Sequence, residues 1–264
     1  FRDELYADYK ANREAMPDDL ATQLPFIIRV CEVFNIPIIK YDRYEADDII
    51  GTLAKKIEAK KMQAVIVSND KDLCQLVKDP YIVGMRQNSV NVKRKVPVPP
   101  DEDRPERDAL LWVMNKFGVP PERIIDLLGL MGDSADNIPG APGIGEKGAV
   151  KLVTEWGSAL GAMENADKIT HKTYRESLQN NQEIIKQSLE LATVHCEVPV
   201  ELDLDQLKAK EPNRTEAFKL FSELEFTALT REFADSAPLF DMQPGEAAVE
   251  QQYSIVKTRE DMDK

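Results

Sequence analysis

Hydrophobic residues return along this chain in two rhythms, and the change between them divides it. Over roughly Asp18 to Phe34 they fall at Leu20, Leu24, Ile27, Ile28 and Cys31, the spacing of a helix with one apolar stripe, and Asp18 or Asp19 stands near its start. Ile36 to Tyr41 is a short β-rich run. Ile49, Ile50, Leu53 and Ala54 place a helix over Ala46 to Glu58, and Ala64 to Ser68 (AVIVS) reads as a buried strand. This alternation predicts an α/β core with a parallel sheet, on which the Asp18–Phe34 helix should pack. Phe1 to Arg13 reads as an amphipathic helix with no N-cap before it, as though the chain opened inside an element already under way.

Beyond the Pro-rich, charged stretch Val96 to Arg107 the pattern becomes helical. Helices are expected over Asp108 to Phe117, Pro121 to Met131, Lys147 to Trp156 and Tyr174 to Val194, with Pro120 and Pro121 suited to a helix start. Between the second and third lies GDSADNIPGAPGIGEKG, with five Gly and two Pro in 17 residues, which is a specified turn between helices and not a regular element. DMQPGEAAVEQQ is polar and reads as a linker, and YSIVKTREDMDK looks like a strand and the start of a further helix. The expected organisation is therefore a core over 1–107, a helical region over 108–240, a linker over 241–252, and the opening of another domain over 253–264.

Charge refines this picture. The net charge of −13 is unusual for a protein that binds phosphates, yet seven carboxylates in three short clusters supply more than half of it. Basic residues are grouped too, at Lys10 and Arg13, at Lys93, Arg94 and Lys95, and at Lys147 and Lys151. Three widely spaced cysteines with no CxxC or Cys/His pairing support neither disulfides nor a zinc site and read as core thiols. His171 and His195 lack partners at metal spacing, while Trp112 and Trp156 fit apolar helix faces. No apolar run approaches the roughly 18 residues of a membrane span, so no membrane partner is expected, and a cytoplasmic location is.

The carboxylate clusters carry the chemistry. They are Glu45, Asp47 and Asp48 in YEADDIIG, Asp70 and Asp72 in SNDKDL, and Asp133 and Asp136 in GDSADN. Two of them fall at the carboxyl ends of strands, where open α/β sheets place ligands. Any one cluster could be a helix cap or a turn. Together they suit hard divalent cations such as Mg²⁺ or Mn²⁺, because oxygen-only clusters favour such ions and like charges so placed need a counter-ion. In the Gly-rich turn, Gly residues can serve backbone conformation alone, or they can let main-chain groups approach a nucleic-acid phosphate or a monovalent cation, with Lys147 and Lys151 adding charge. Tyr9, Lys10 and Arg13 recur on successive helical turns; without further information they form a solvated basic face.

YKANR, YEADDIIGTLA, VSNDKDLCQLV, the block from FGVPPERIIDLLGLMGDSADNIPGAPGIGEKGA and the later FSELEF together resemble the 5′ nuclease domains of bacterial DNA polymerase I, relatives of the flap endonucleases. The resemblance runs from Phe1 to about Phe240 and implies a PIN-like core followed by a helix-hairpin-helix-like DNA-binding region. It makes Glu45, Asp47, Asp48, Asp70, Asp72, Asp133 and Asp136 ligands of two or more Mg²⁺ or Mn²⁺ ions, and puts Lys10 and Arg13 over the scissile phosphate. Tyr9, Gly140, Gly143, Ile144, Gly145, Lys147 and Lys151 become DNA-contacting positions, with a K⁺ ion at the turn. The implied partner is DNA with a 5′ flap, nick or RNA primer, and the implied protein is a monomer associated with the bacterial nucleoid and continuous with polymerase domains. It also implies a first strand and two further acidic ligands upstream of Phe1, so a chain truncated at both ends and impaired in cleavage is expected. Two other readings stay open: a fragment that grips DNA without cutting it, and a PIN-like nuclease acting on RNA alone, which leaves the Gly-rich turn without a purpose.

Overall fold

The computed structural model describes residues 2–85 and 108–234. The basic group at Lys93, Arg94 and Lys95, the Pro-rich stretch, the linker and the final segment lie outside the described residues. The chain divides into two compact units, one comprising Phe1–Pro17 and Ile39–Gln206, the other Asp18–Ile38 and Leu207–Lys264.

The first unit begins with a single helical turn, α1 (Arg2–Leu5), and not the helix expected to Arg13. Lys10 has φ +56°, and three long-range bonds replace helix continuation: the Lys10 amide donates to Asp136 O, Asn12 Nδ2 to Ser134 O, and Asn137 Nδ2 to Asp8 O. Tertiary contacts here override local propensity. Helix α4 (Ala46–Ala59) starts where expected, with Glu45 at the N-cap and Asp48 reaching back to accept the Glu45 amide at 3.1 Å. Strand β1 (Ala64–Val67) pairs in parallel with β2 (Ile82–Met85), in register from Ala64–Ile82 to Val67–Met85. These two strands form the sheet among the described residues. The strand expected over Ile36 to Tyr41 is absent, since Pro37 has no N–H to give a ladder and Ile36, Ile38 and Tyr41 are exposed. Nor is β1 buried on both faces: Ala64 and Ile66 point inward, while Val65 and Val67 are exposed.

Helices α5 (Asp108–Phe117), α6 (Ile124–Met131), α7 (Glu146–Trp156), α8 (Ala159–Glu164), α9 (Lys172–Asn180) and α10 (Gln182–Ala192) complete this unit. Pro121 to Arg123 forms a 3₁₀ turn leading into α6, and the long helix expected over Tyr174 to Val194 is two helices broken at Asn181. Leu127, Leu128, Leu130, Ile144, Ala149, Leu152, Leu178 and Ile185 fill the core between them, while Trp112 is exposed. The Gly-rich segment joins α6 to α7 as a helix-hairpin-helix-like turn. It reverses through Gly132 (φ +74°) and Gly140 (φ +63°), with Asp133 and Ile138 exchanging both backbone hydrogen bonds across it. A Cβ on Gly140 would lie 2.3 Å from the Gly132 nitrogen, so only Gly fits there. The hairpin is fastened to α10 by the Gly140 amide, which donates to Ser188 Oγ, and by Gly129, which leaves room for Leu189 at its side.

The second unit holds α2 (Asp18–Ala21), α3 (Leu24–Val33), α11 (Arg214–Glu223) and α12 (Thr227–Glu232). The single helix expected over Asp18 to Phe34 is broken because Pro25, lacking an N–H, begins a new helix. It packs on helices, not on a sheet: Val30, Val33 and Phe34 meet Ala217, Phe221 and Phe233.

A buried ion pair ties α1 to the rest of the first unit. Arg2, 5% exposed, grips Asp48, 0% exposed, through two 2.8 Å bonds, and also donates to Leu191 O and Thr193 O. Asp48 Oδ1 further accepts the His195 amide at 2.9 Å. Removing one partner of such a pair strands a buried charge, so Arg2→Ala is expected to cost about 3–5 kcal/mol in urea unfolding. A loss within about 1 kcal/mol would show that Asp48 finds compensation elsewhere.

Candidate metal centre

All seven clustered carboxylates lie in the first unit, and six of them share one electrostatic field. Glu45 is placed by the α4 N-cap, and Asp47 lies in the first turn of the helix. Asp70 and Asp72 follow β1: the Asp70 amide donates to Ser68 Oγ, and the Asp72 amide to Asp70 Oδ1, an Asx-type turn that leads into the 3₁₀ turn Asp72–Leu76. Asp133 and Asp136 belong to the hairpin after α6, where Asp133 Oδ1 accepts the Ala135 amide.

Protonation reports how closely these groups stand. Burial, together with the charges of Asp70, Asp133 and Asp136, pushes the Asp72 carboxyl up to about 7, with Lys71 opposing. Burial, then Asp70 and Glu45, pushes Asp47 up to about 6. Asp48 belongs to a different environment. Although burial raises it, the Arg2 guanidinium and the His195 amide hold it below the ordinary carboxylate range. Its oxygens are committed to Arg2 and to backbone amides, although its charge still adds to the rise at Asp47.

Cations of the chain itself lie against these carboxylates. Lys10 Nζ reaches Glu45 at 2.6 Å and Asp136 at 3.6 Å, Arg13 reaches Asp136 at 2.5 Å, and Lys71 reaches Asp133 at 2.9 Å. Tyr9, 6% exposed, directs its hydroxyl at Glu45 Oε2 and Asp136 Oδ2, and burial with those two charges raises its phenol. Tyr9, Lys10 and Arg13 thus share a turn against the acidic crevice and not a helix face. Lys71 had no sequence signal apart from its place between two aspartates.

With the carboxylates turned to these cations, no three acidic, histidine or cysteine side chains among the described residues stand together as a ready-made ion cage. The chemistry of the donor set nonetheless fits a divalent cation. It is all oxygen, it carries more negative charge than its neighbours cancel, and Asp72 Oδ1 is buried with no hydrogen-bond partner.

At the hairpin, Gly143 and Gly145 are exposed, as are Lys147 and Lys151 on α7, while Gly140 is buried and Ile144 is a core side chain at 3% exposure. His171 caps α9, its ring stacked on Tyr174 with centroids 3.9 Å apart, and His195 stacks on Tyr44.

Because Asp72 and Asp47 bind protons more tightly folded than unfolded, where an aspartate titrates near 3.8, the metal-free protein should lose stability as pH rises from about 4 to about 7. Asp48, with its pKa depressed, acts oppositely, and only below its ordinary pKa. Urea midpoints in EDTA at pH 5.5 and 8 should therefore fall with pH, and Asp72→Asn should flatten that fall; an unchanged slope would exclude Asp72 as its source.

Two family descriptions match the chain: the 5′-3′ exonuclease N-terminal resolvase-like domain over residues 1–98, and the 5′-3′ exonuclease C-terminal SAM fold over residues 119–215. DNA polymerase I of Bacillus subtilis is 38% identical over 238 residues, covering 90% of this chain and 26% of the relative. That of Pseudomonas aeruginosa is 40% identical, covering 86% and 24%. The chain thus spans about a quarter of the length of the curated relatives it matches. Among solved structures, a zinc-bound phage T5 5′-exonuclease superposes with TM-score 0.56 at 20% identity, covering 89% of this chain and 79% of that one. A T5 flap endonuclease in a pseudo-enzyme–product complex with DNA and metal ions gives 0.58 at 20% identity, covering 89% and 78%. Both show the same fold. With Glu45, Asp47, Asp70 and Asp72 in a resolvase-like half, and Asp133, Asp136 and the Gly-rich hairpin in a helical half, the chain belongs to the 5′-3′ exonuclease family, as the domain of that kind found in bacterial DNA polymerase I.

Proposed function

We propose that this chain is a divalent-metal-dependent 5′ nuclease that hydrolyses phosphodiesters at 5′ flaps, nicks and RNA primers on duplex DNA, as one part of a longer polymerase. The observation that carries the reading is that Glu45, Asp70, Asp133 and Asp136, from three separate segments, act on the charges of Asp47 and Asp72, and that Asp72 Oδ1 is buried without a partner. Relatives with this family's domains are DNA polymerases, and a neighbour of the same fold is described with DNA and metal ions.

Those six carboxylates would hold Mg²⁺ or Mn²⁺, hard ions suited to oxygen donors. Bound there, such ions supply water activation at neutral pH and charge to offset the leaving oxygen. Asp48 acts at one remove, by fixing Arg2 and the first turn of α4. Lys10 and Arg13, long side chains at the rim, can exchange Glu45 and Asp136 for a phosphate and steady the charge that develops on it. Tyr9 holds their turn in place from beneath. At the hairpin, exposed Gly143 and Gly145 allow the backbone to approach a duplex phosphate, a K⁺ ion there can be held by turn carbonyls, and Lys147 and Lys151 add sequence-independent attraction. Ile144 contributes by packing the turn onto the core.

A labelled 5′-flap duplex should be cut in Mg²⁺ or Mn²⁺ and not in EDTA. Asp72→Asn should slow cutting at least about a hundredfold while leaving flap binding near parental; a rate within about threefold of the parent would remove Asp72 from the metal site. Flap binding without cleavage by the unaltered chain would favour a DNA-gripping module over a nuclease. Replacing Lys147 and Lys151 together with Ala should weaken duplex binding and lower the slope of log affinity against log salt by about 1–2; an unchanged slope would rule out phosphate contact by these lysines.

A further inference from the structure

Lys71 occupies a position that none of the functional assignments uses. It stands between Asp70 and Asp72, at the N-cap of the 3₁₀ turn, and its Nζ lies 2.9 Å from Asp133 Oδ2. The Asp133 side chain is 5% exposed and that of Lys71 34%, so the contact is made at the inner edge of the crevice and not on open surface. Asp133 Oδ1 is already taken by the Ala135 amide. Its other oxygen faces Lys71, so a cation that takes that oxygen meets the ammonium. Close by in the same field, Asp72 has a buried oxygen with no partner.

From this geometry we propose that Lys71 is the built-in counter-ion of the Asp72–Asp133 half of the crevice: its ammonium anchors Asp133 while no metal is bound and must be displaced before a divalent ion can take that carboxylate. The inference rests on the metal reading above. Lys71 belongs to the same turn as Asp70 and Asp72, so its charge is always present at high local concentration. A divalent ion competes against it on every binding event. The arrangement lowers the repulsion among Asp70, Asp72 and Asp133, and it raises the divalent-ion concentration at which that half of the crevice fills. Lys10 and Arg13 are different, because they pair with Glu45 and Asp136 from a separate turn that the crevice does not itself contain.

The test is Mn²⁺ binding to the whole chain, followed by calorimetry and by the Mn²⁺ electron spin resonance signal, without DNA. Lys71→Met should bind Mn²⁺ about fivefold more tightly at one site, the scale expected for releasing a partly exposed ion pair. Its urea midpoint in EDTA should fall, and the deficit should shrink in saturating Mn²⁺. Lys71→Arg, which keeps the charge, should bind close to the parent, and Lys71→Gln serves in place of the Met variant should that fail to fold. Unchanged or weaker Mn²⁺ binding in the charge-free variant would overturn the proposal, since it would make Lys71 a bystander or an organiser of the site. Asp72→Asn separates the two levels of inference. If it binds Mn²⁺ as the parent does, the metal reading itself falls and the Lys71 proposal falls with it; if it loses a site while Lys71→Met is unchanged, only the proposal falls.

Discussion

Like charges gathered in one crevice must be balanced, and this constraint organises the first unit. Six carboxylates come from the α4 N-terminus, the turn after β1 and the hairpin after α6, segments that would repel one another if left alone. The chain meets the repulsion with its own cations. Lys10 and Arg13 join the first cluster to the third, and Lys71 joins the second to the third. Asp48 is removed from the crowd by a buried arginine. What is left over is concentrated at Asp47 and Asp72, whose protons are held hardest. The residual demand for positive charge is therefore local, and it sits where an incoming ion would be most useful.

Much of this was legible in the sequence. The start of α4 at Ala46, strand β1, and helices α5 to α7 follow from periodicity and capping, and the Gly-rich segment could only be a tight turn. The three clusters were visible because acidic residues recur at element ends. Two errors had signals that were present: Pro25 splits α2 from α3, and Pro37 weakens the strand reading of Ile36 to Tyr41. Asn181 between α9 and α10 is a weaker signal of the same kind.

Other features had no local signal at all. The turn that carries Tyr9, Lys10 and Arg13 is set by bonds to Asp136 and Ser134, more than a hundred residues away, and reads as helix when taken alone. The role of Asp48 depends on Arg2, 46 residues earlier, and on carbonyls at Leu191 and Thr193. Within the motif EADD nothing distinguishes the carboxylate that faces the crevice from the one that faces the arginine. Register on a helix separates them only once the helix start and the partner are both known.

Helix α10 touches both functional halves. Its middle receives the hairpin, through Ser188 and the close approach of Leu189 to Gly129. The carbonyls at its end and just beyond hold Arg2, and through it Asp48 and the start of α4. The helix thus fixes the spacing between the hairpin and the start of α4, through attachments about one turn apart. One added residue would turn one end against the other by about 100° and break both attachments, so this length can change only in near-whole turns.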